Sequence, residues 1–432
     1  MIWNREMECA SPTEMRAIQL YKLIKTLRHE YDNVECYRKK MDEAGVKPED
    51  IRTLEDIRKL PFMTKEDIAE NYPMGLFAMP LTDIVRIHSS SGTTGKPKIV
   101  GYTQNDIDVW GECMARGLTM AGADKDSVVQ VSYGYGLFTG GLGAHLGAET
   151  IGATTIPMGT GNTQKQLSFM TDLKADVLCC TPSYALTLAE AAGKEGLKKE
   201  DLHLTAGIMG AEPWTQAMRE EIEAGLGIRA HDIYGLSEIM GPGVSMSCEA
   251  NDGMHIQEDY FYVEIIDQDT LEAVPDGEKG ELVITTLGKE GIPMIRYRTR
   301  DICYLMRDKC SCGRTTARMS RVFGRSDDML IIRGVNVFPS QIETVIAEFS
   351  ELTLNYKLIV DRENNKDTFE LLVEFAEGLE IDDIAFVENT RKRVEHTLRD
   401  MLGIGCKVRF LNAGALPRSE GKAVRVEDRR KL

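Results

Sequence analysis

The chain has 432 residues, more than one hydrophobic core organises, so two or three folding units are expected. With 42% hydrophobic and 28% charged residues it falls in the globular range, and no apolar run reaches the ~18–20 residues of a membrane span, which argues against a membrane protein. The 52 Lys and Arg against 68 Asp and Glu leave a net charge of -16, which repels polyanions and speaks against nucleic acid as the main partner.

The opening Met1-Ile2-Trp3-Asn4-Arg5-Glu6 is followed by no apolar stretch or small-residue cleavage site, so a cytoplasmic protein is expected. Ten cysteines are too sparse for a disulfide framework. Cys179-Cys180 lies in an apolar run, as buried reduced thiols do, and only the group near residues 248–312 looks organised.

From about residue 12 to 72 the pattern is charged and helical. Thr53-Leu54-Glu55-Asp56 and Thr64-Lys65-Glu66-Asp67 each set an acid three residues after a hydroxyl, and each is expected to cap a helix start. From about 84 to 245 short β-like runs alternate with helical ones. Ser127 to Val131, Ala153 to Pro157 and Asp176 to Cys180 read as strands, and Thr163 to Leu173 as the helix between the last two. Thr181-Pro182 supplies an N-cap with proline at the first helical position. This βαβ spacing predicts a largely parallel sheet, with binding sites at the carboxyl ends of its strands.

From 259 to 305 strands follow one another without helices, Phe261 to Ile266 and Gly280 to Thr285 among them, so an antiparallel layer or small barrel is expected. After Gly324 the character shifts again. A helix over 340–349 opened by Ser340 with Glu343 three on, strands near 356–360 and 369–375, a helix near 382–402 and a strand from Cys406 to Leu411 describe a compact α+β unit. The fold class is therefore α/β. A large multi-layer N-terminal domain over 1–325 has mainly parallel sheets plus an antiparallel, strand-rich subdomain at about 246–322, and a small α+β C-terminal domain covers 326–432. Gly324-Arg325-Ser326-Asp327-Asp328 is the expected junction.

Ser89-Ser90-Ser91-Gly92-Thr93-Thr94-Gly95-Lys96-Pro97-Lys98 offers hydroxyls, flexible backbone and two cations after the apolar run Ile84 to Ile87. Glycines let N–H groups close around phosphate oxygens, hydroxyls donate further bonds and lysine supplies charge, so the segment reads as a phosphate cradle. A mobile surface loop is the plain alternative. The Walker pattern is disfavoured, because two residues rather than four separate Gly92 from Gly95 and Pro97 follows Lys96.

Together with the later segments below, in the same order, this stretch resembles the phosphate loop of the adenylate-forming acyl-CoA ligase superfamily, and the resemblance runs from Ser89 to Lys422. Gly210-Ala211-Glu212-Pro213 is similar to the adenine-side segment. Tyr234-Gly235-Leu236-Ser237-Glu238 resembles the motif whose aromatic packs on adenine, whose hydroxyl meets the α-phosphate and whose carboxylate, here Glu238, holds Mg2+. Tyr234 could equally be a core aromatic. Tyr297-Arg298-Thr299-Arg300-Asp301 resembles the motif whose aspartate accepts from the ribose hydroxyls, although Arg-Asp alone would read as a surface ion pair.

The resemblance also implies that Arg325 faces the nucleotide, that Asp327 is the hinge of a mobile C-terminal domain, and that the loop Gly334 to Pro339 turns towards the thiol-accepting site. Pro417-Arg418-Ser419-Glu420-Gly421-Lys422 matches the terminal lysine loop, in which Lys422 spans carboxylate and phosphate oxygens in the transition state. A basic tail is the bland reading, since Arg425, Arg429, Arg430 and Lys431 follow.

Three stretches resemble the arylacetate-activating branch: Tyr133 to Gly141, Ile156-Pro157-Met158 and Ile332 to Ser340. An aromatic, glycine-rich wall suits a flat ring, so Tyr135 and Phe138, with Gly210, are acyl-pocket candidates, with aromatics packed under a turn as the alternative. Cys248, His255, Cys310 and Cys312 could complete a tetrahedral structural zinc site.

The activity implied is two-step: ATP and an arylacetate such as phenylacetate give acyl-adenylate and pyrophosphate, then CoA gives acyl-CoA and AMP. Glu238 and Lys422 are the catalytic candidates, ATP or AMP, Mg2+ and CoA the cofactors, and small molecules and a second copy in a homodimer the partners. A ligase for another acid or a non-CoA acceptor remains open, as does a silent nucleotide-binding scaffold, although Lys422, Glu238 and Asp301 together speak against the scaffold.

Overall fold

The computed structural model describes residues 1–89, 97–326, 330–333, 335–363, 366–379 and 383–430. The expected phosphate-loop residues Ser90, Ser91, Gly92, Thr93, Thr94, Gly95 and Lys96, the hinge residue Asp327 and Gly334 lie outside them. The chain divides into two compact units. One comprises Met1–Cys180, Lys199–Ala211 and Ile228–Val322, the other Thr181–Lys198, Glu212–Gly227 and Phe323–Leu432. Among the described residues no helix is long and apolar enough to cross a membrane.

The first unit is built on a nine-stranded mixed sheet. Thr154–Pro157, Val128–Val131, Val177–Cys180, Ala206–Gly210 and Arg229–Leu236 are parallel neighbours in that order. The middle strand, Val177–Cys180, is buried at every position, as a strand covered on both faces must be. The expected helix between strands runs Thr163–Asp172.

The sheet then continues antiparallel through Gly241–Ser247, Met254–Ile256, Arg318–Met319 and Leu305–Met306. The strand-rich stretch 246–322 is thus shared between two sheets. Its remaining strands, Phe261–Ile266, Gly280–Thr286 and Tyr297–Cys303, form a separate antiparallel layer. In the N-terminal helices, Thr64 is the N-cap residue of Lys65–Glu70 and its N–H donates to the Asp67 carboxylate at 2.8 Å, whereas Thr53 opens a 3-10 helix, Leu54–Lys59, rather than an α-helix.

The second unit carries a four-stranded sheet in the order Lys407–Leu411, Lys366–Phe375, Leu352–Glu363, Val426–Asp428, together with the helices Pro339–Ile346 and Ile384–Leu402. The helices Pro182–Lys194 and Gln216–Leu226 belong to the same unit. Thr181 caps the first of these, its hydroxyl accepting from the Tyr184 N–H, with Pro182 at the first position as the sequence predicts. The helix expected to open at Ser340 starts earlier. Pro339 takes the first helical position, where a missing N–H leaves no acceptor unpaired. Phe338 is the N-cap residue, and the Gln341 side chain accepts its N–H at 2.9 Å. Ser340 instead donates to the Phe323 carbonyl.

Candidate active site

The site begins where strands end. Ala206–Gly210 and Arg229–Leu236 run parallel, and a Cβ on Gly210 would strike the Ile233 carbonyl, so only glycine allows this approach. Ala211 follows with a left-handed φ of 73°, a conformation that costs a non-glycine residue energy and concentrates at functional sites. A Cβ on Gly235 would run into the Gly241 carbonyl, which fixes the turn carrying Ser237 and Glu238.

The strand Tyr297–Cys303 alternates buried and half-exposed positions, and its period of two puts Tyr297 and Asp301 on one face. Both reach the turn. The Tyr234 hydroxyl donates to Asp301 Oδ2 at 2.6 Å, and the Tyr297 hydroxyl donates to Glu238 Oε1 at 2.7 Å. Lys98 Nζ adds an ion pair to the same Oε1 at 2.5 Å. Arg300 pairs with Glu281, and Asp301 is buried, so the surface ion-pair reading of Arg-Asp does not describe this strand.

Burial pushes the Glu238 carboxyl up, but Lys98 and the Tyr297 hydroxyl outweigh it and hold it below its ordinary range. Burial, reinforced by Asp301, raises the Tyr234 phenol well above its usual value. Beneath the turn, buried Lys289 donates to the Glu238 carbonyl at 2.9 Å and lies over the Tyr102 ring, while the Tyr102 hydroxyl bonds the Ser237 and Met240 carbonyls. Desolvation pushes Lys289 down to about 8. The Ser237 and Thr139 hydroxyls are 3.2 Å apart, and the Ser89 N–H donates to the Leu137 carbonyl at 2.9 Å.

The glycine-rich turn before the helix Thr139–Thr150 holds the two aromatic candidates differently. Tyr135 is half-buried and its hydroxyl lies 3.2 Å from His145 Nδ1, whose Nε2 meets Glu149 at 3.0 Å. Phe138 is the N-cap residue of that helix and is 39% exposed, its ring against Gly140. Lys289, Tyr297, His145 and Glu149 carry no site assignment from the sequence, and Lys98, one of the two cations of the expected phosphate cradle, is paired here with Glu238. Only Tyr297 had a usable signal, its spacing of four from Asp301 on a strand.

The second unit holds Glu212, Pro213, Arg325 and Lys422. Arg325 lies in the short strand Gly324–Arg325, and Pro213 is exposed. Glu212 accepts from the Ser183 N–H at 2.7 Å and from the Ala423 N–H at 2.9 Å. The side chain of Lys422 is exposed. The arginines of the supposed tail are ordered by partners: Arg425 pairs with Glu343, Arg429 with Glu427, and Arg430 with Asp428 and Asp367.

Cys248, His255, Cys310 and Cys312 converge in the first unit, their ligand atoms all within 4.8 Å of one another. Cys248 Sγ and Cys310 Sγ are 3.6 Å apart, and Cys312 Sγ is 3.3 Å from His255 Nε2. Tetrahedral zinc with ~2.3 Å bonds to sulfur would set two sulfurs about 3.8 Å apart, so the Cys248–Cys310 pair lies within a few tenths of an ångström of that geometry. The Thr316 hydroxyl lies 3.0 Å from His255 Nδ1, leaving Nε2 to face the cysteines. Burial pushes the Cys248 thiol up to about 12, whereas at Cys312 burial is overcome by the His255 ring and the Arg314 N–H, which bring it down to about 6.

Strand-end turns that join an aromatic, a hydroxyl and a paired carboxylate, with a separate lysine-bearing α+β unit, define an adenylate-forming enzyme. Residues 24–288 match the AMP-binding enzyme family and residues 334–430 its C-terminal domain. The chain is 51% identical to the phenylacetate-coenzyme A ligase of Escherichia coli over 100% of its own length and 99% of that protein, and 46% identical to the one of Thermus thermophilus, with 100% of each covered. A crystal structure of 2-hydroxyisobutyryl-CoA ligase in the postadenylation state with 2-HIB-AMP superposes with a TM-score of 0.92 at 29% identity, covering 98% of this chain and 91% of that one. The chain belongs to the phenylacetate-coenzyme A ligase family.

Proposed function

We propose that this chain is an AMP-forming phenylacetate-coenzyme A ligase. A phenylacetate oxygen attacks the α-phosphorus of ATP, the bond to the β-phosphate oxygen breaks and pyrophosphate leaves. The CoA thiol then attacks the acyl carbon, loses its proton and expels AMP. The observation that carries the reading is the pair of bonds from one strand face, Tyr297 to Glu238 and Asp301 to Tyr234, in a chain similar to these ligases along its whole length.

In this reading the Tyr234 ring packs on adenine beside the backbone of Gly210, Ala211, Glu212 and Pro213. Asp301 accepts from the ribose hydroxyls, Gly235 and Ser237 face the α-phosphate, and Ser89 with residues 90–96 cradles the phosphates. Arg325 faces the nucleotide. Among the described residues Lys98 and Tyr297 both meet Oε1 of the Glu238 carboxylate, a hard oxygen ligand that would suit Mg2+. That ion would neutralise phosphate charge. Lys422 stabilises the charge gathered as carboxylate meets phosphate, and Asp327 is the pivot on which the C-terminal domain over 326–432 exchanges active-site walls between steps. Tyr135 and Phe138 line the acyl pocket, with His145 holding the Tyr135 hydroxyl in place.

Zinc on Cys248, His255, Cys310 and Cys312 is structural in this reading, because all four ligands come from the protein and none is left open. A cytoplasmic homodimer completes it, the second part of which sedimentation velocity tests.

ATP–pyrophosphate exchange over a panel of acids, with CoA then added, tests the assignment. Phenylacetate is expected to give the highest kcat/KM and a CoA-dependent thioester. Faster exchange with an aliphatic or benzoic acid would reassign the substrate, exchange without thioester would reassign the acceptor, and no acid-dependent exchange would leave a nucleotide-binding scaffold.

A further inference from the structure

The loop bearing Lys422 is held on both sides of that residue by groups within its own compact unit. After it, the Ala423 N–H donates to Glu212 Oε2 at 2.9 Å, while Glu212 Oε1 accepts from the Ser183 N–H at 2.7 Å. Ser183 lies in the first turn of the helix Pro182–Lys194, where N–H groups lack intrahelical acceptors and a carboxylate is favoured by the helix dipole. Before Lys422, the Gly421 carbonyl accepts from the hydroxyls of Thr181 at 3.0 Å and Ser419 at 2.7 Å. The lysine side chain itself stays exposed.

The stem of the loop is fastened differently. Fully buried Glu374 accepts from the N–H groups of Leu416 at 2.6 Å and Gly414 at 3.1 Å, and from Arg418 at 3.0 Å. Those bonds to Glu374 lie inside 326–432 and survive any movement of that segment, whereas the bond from Arg418 Nε to Glu190 at 2.8 Å leaves it. At the tip, the bonds to Thr181 and Glu212 run outside it and must break if the segment turns, while the Ser419–Gly421 bond stays within it.

We propose that Glu212 is a positioning residue for adenylation, a latch whose carboxylate fastens the backbone beside Lys422 to the start of the helix Pro182–Lys194 and lets go for the thiol step. This rests on the role given to Lys422 above. In the reading above the adenine-side contact of the same segment comes from its backbone, so the KM for ATP separates loss of the latch from loss of a nucleotide contact.

Glu212→Gln keeps the shape but sets an amide NH2 against one of the two N–H donors. Three readouts are compared with wild type: phenylacetate-dependent ATP–pyrophosphate exchange, thioester formation from supplied phenylacetyl-adenylate and CoA, and hydrogen exchange of the Ala423 amide. Losing a charge-assisted bond should lower kcat for pyrophosphate exchange at least about tenfold. The KM for ATP should stay within about twofold, thioester formation should hold or quicken, and the Ala423 amide should exchange faster. Equal loss in both half-reactions, no loss in either, or a raised KM for ATP with kcat kept would overturn the latch. Should the variant not fold, Thr187→Val removes a half-buried hydroxyl that donates from outside 326–432 to the Ser419 carbonyl at 3.3 Å, and should lower exchange kcat about threefold while sparing thioester formation; equal effects on both would overturn it too. Wild-type protein without acid-dependent exchange would refute the activity reading instead, and protection of the Ala423 amide, lost in Glu212→Gln, would still decide the latch.

Discussion

Lys98→Met removes the cation that keeps Glu238 ionised. The two side chains are only 15% and 6% exposed and 2.5 Å apart, so among the described residues the carboxylate would be left buried with the Tyr297 hydroxyl at 2.7 Å and its own backbone N–H as support. Breaking a buried pair by removing one partner costs about 3–5 kcal/mol, and the surviving hydrogen bond places this case near about 3 kcal/mol. The sign of the pH dependence follows from the direction of the shift. In wild type the folded carboxyl sits below its ordinary value of 4.5, so its contribution is present above that value and is lost only as pH falls through the folded pKa. Without Lys98, burial dominates and the folded pKa rises above the unfolded one. The variant then carries the penalty at neutral pH and sheds it by protonation as pH falls, at up to about 1.36 kcal/mol per pH unit. Urea unfolding followed by tryptophan fluorescence at several pH values between about 5.5 and 8 reads this directly. The stability deficit should shrink on acidification, and the acid limb of pyrophosphate exchange should move up by about one pH unit or more. A deficit that stays constant across the range would refute the reasoning.

Lys422→Ala should lower ATP–pyrophosphate exchange by at least about a hundredfold while thioester formation from supplied acyl-adenylate is nearly kept, and equal losses would remove Lys422 from its role. Asp301→Asn should raise the KM for ATP at least about tenfold with a smaller change in kcat, read from initial rates. Metal analysis of purified protein should find about one zinc per chain, lost in Cys310→Ser together with several degrees of Tm. Gly235→Ala drives a Cβ into the Gly241 carbonyl and should cost about 3 kcal/mol in urea unfolding, whereas Gly193→Ala meets nothing within 4 Å and should be neutral or stabilising.

Local chemistry was readable where it acts locally. The parallel strands at 128, 154 and 177 and the Thr181-Pro182 cap emerged within a residue or so of expectation, because hydrophobic period and capping depend on neighbours in the chain. The helix start at Pro339 was misplaced because Ser340 and Glu343 mimic a capping box, when the proline two residues after Val337 already marked the first turn. Pairing over long separations was not readable. Nothing in the sequence tells that Lys98 meets Glu238 140 positions later, or that Lys289 is buried beneath that turn rather than solvated as lysines usually are. The strand Met254–Ile256 lies in the stretch expected as a strand-rich subdomain, yet it pairs antiparallel with Gly241–Ser247 and so extends the nine-stranded sheet, because strand patterns specify faces and not partners.

Phenylacetate labelled with 18O in its carboxylate puts the central claim to its most direct test. When the enzyme turns over labelled acid, ATP and CoA, an acyl-adenylate route must leave one labelled oxygen in the phosphate of AMP per thioester formed. AMP carrying no label, or ADP and phosphate as products, would contradict adenylation of the acid and with it the roles assigned to Glu238, Asp301 and Lys422.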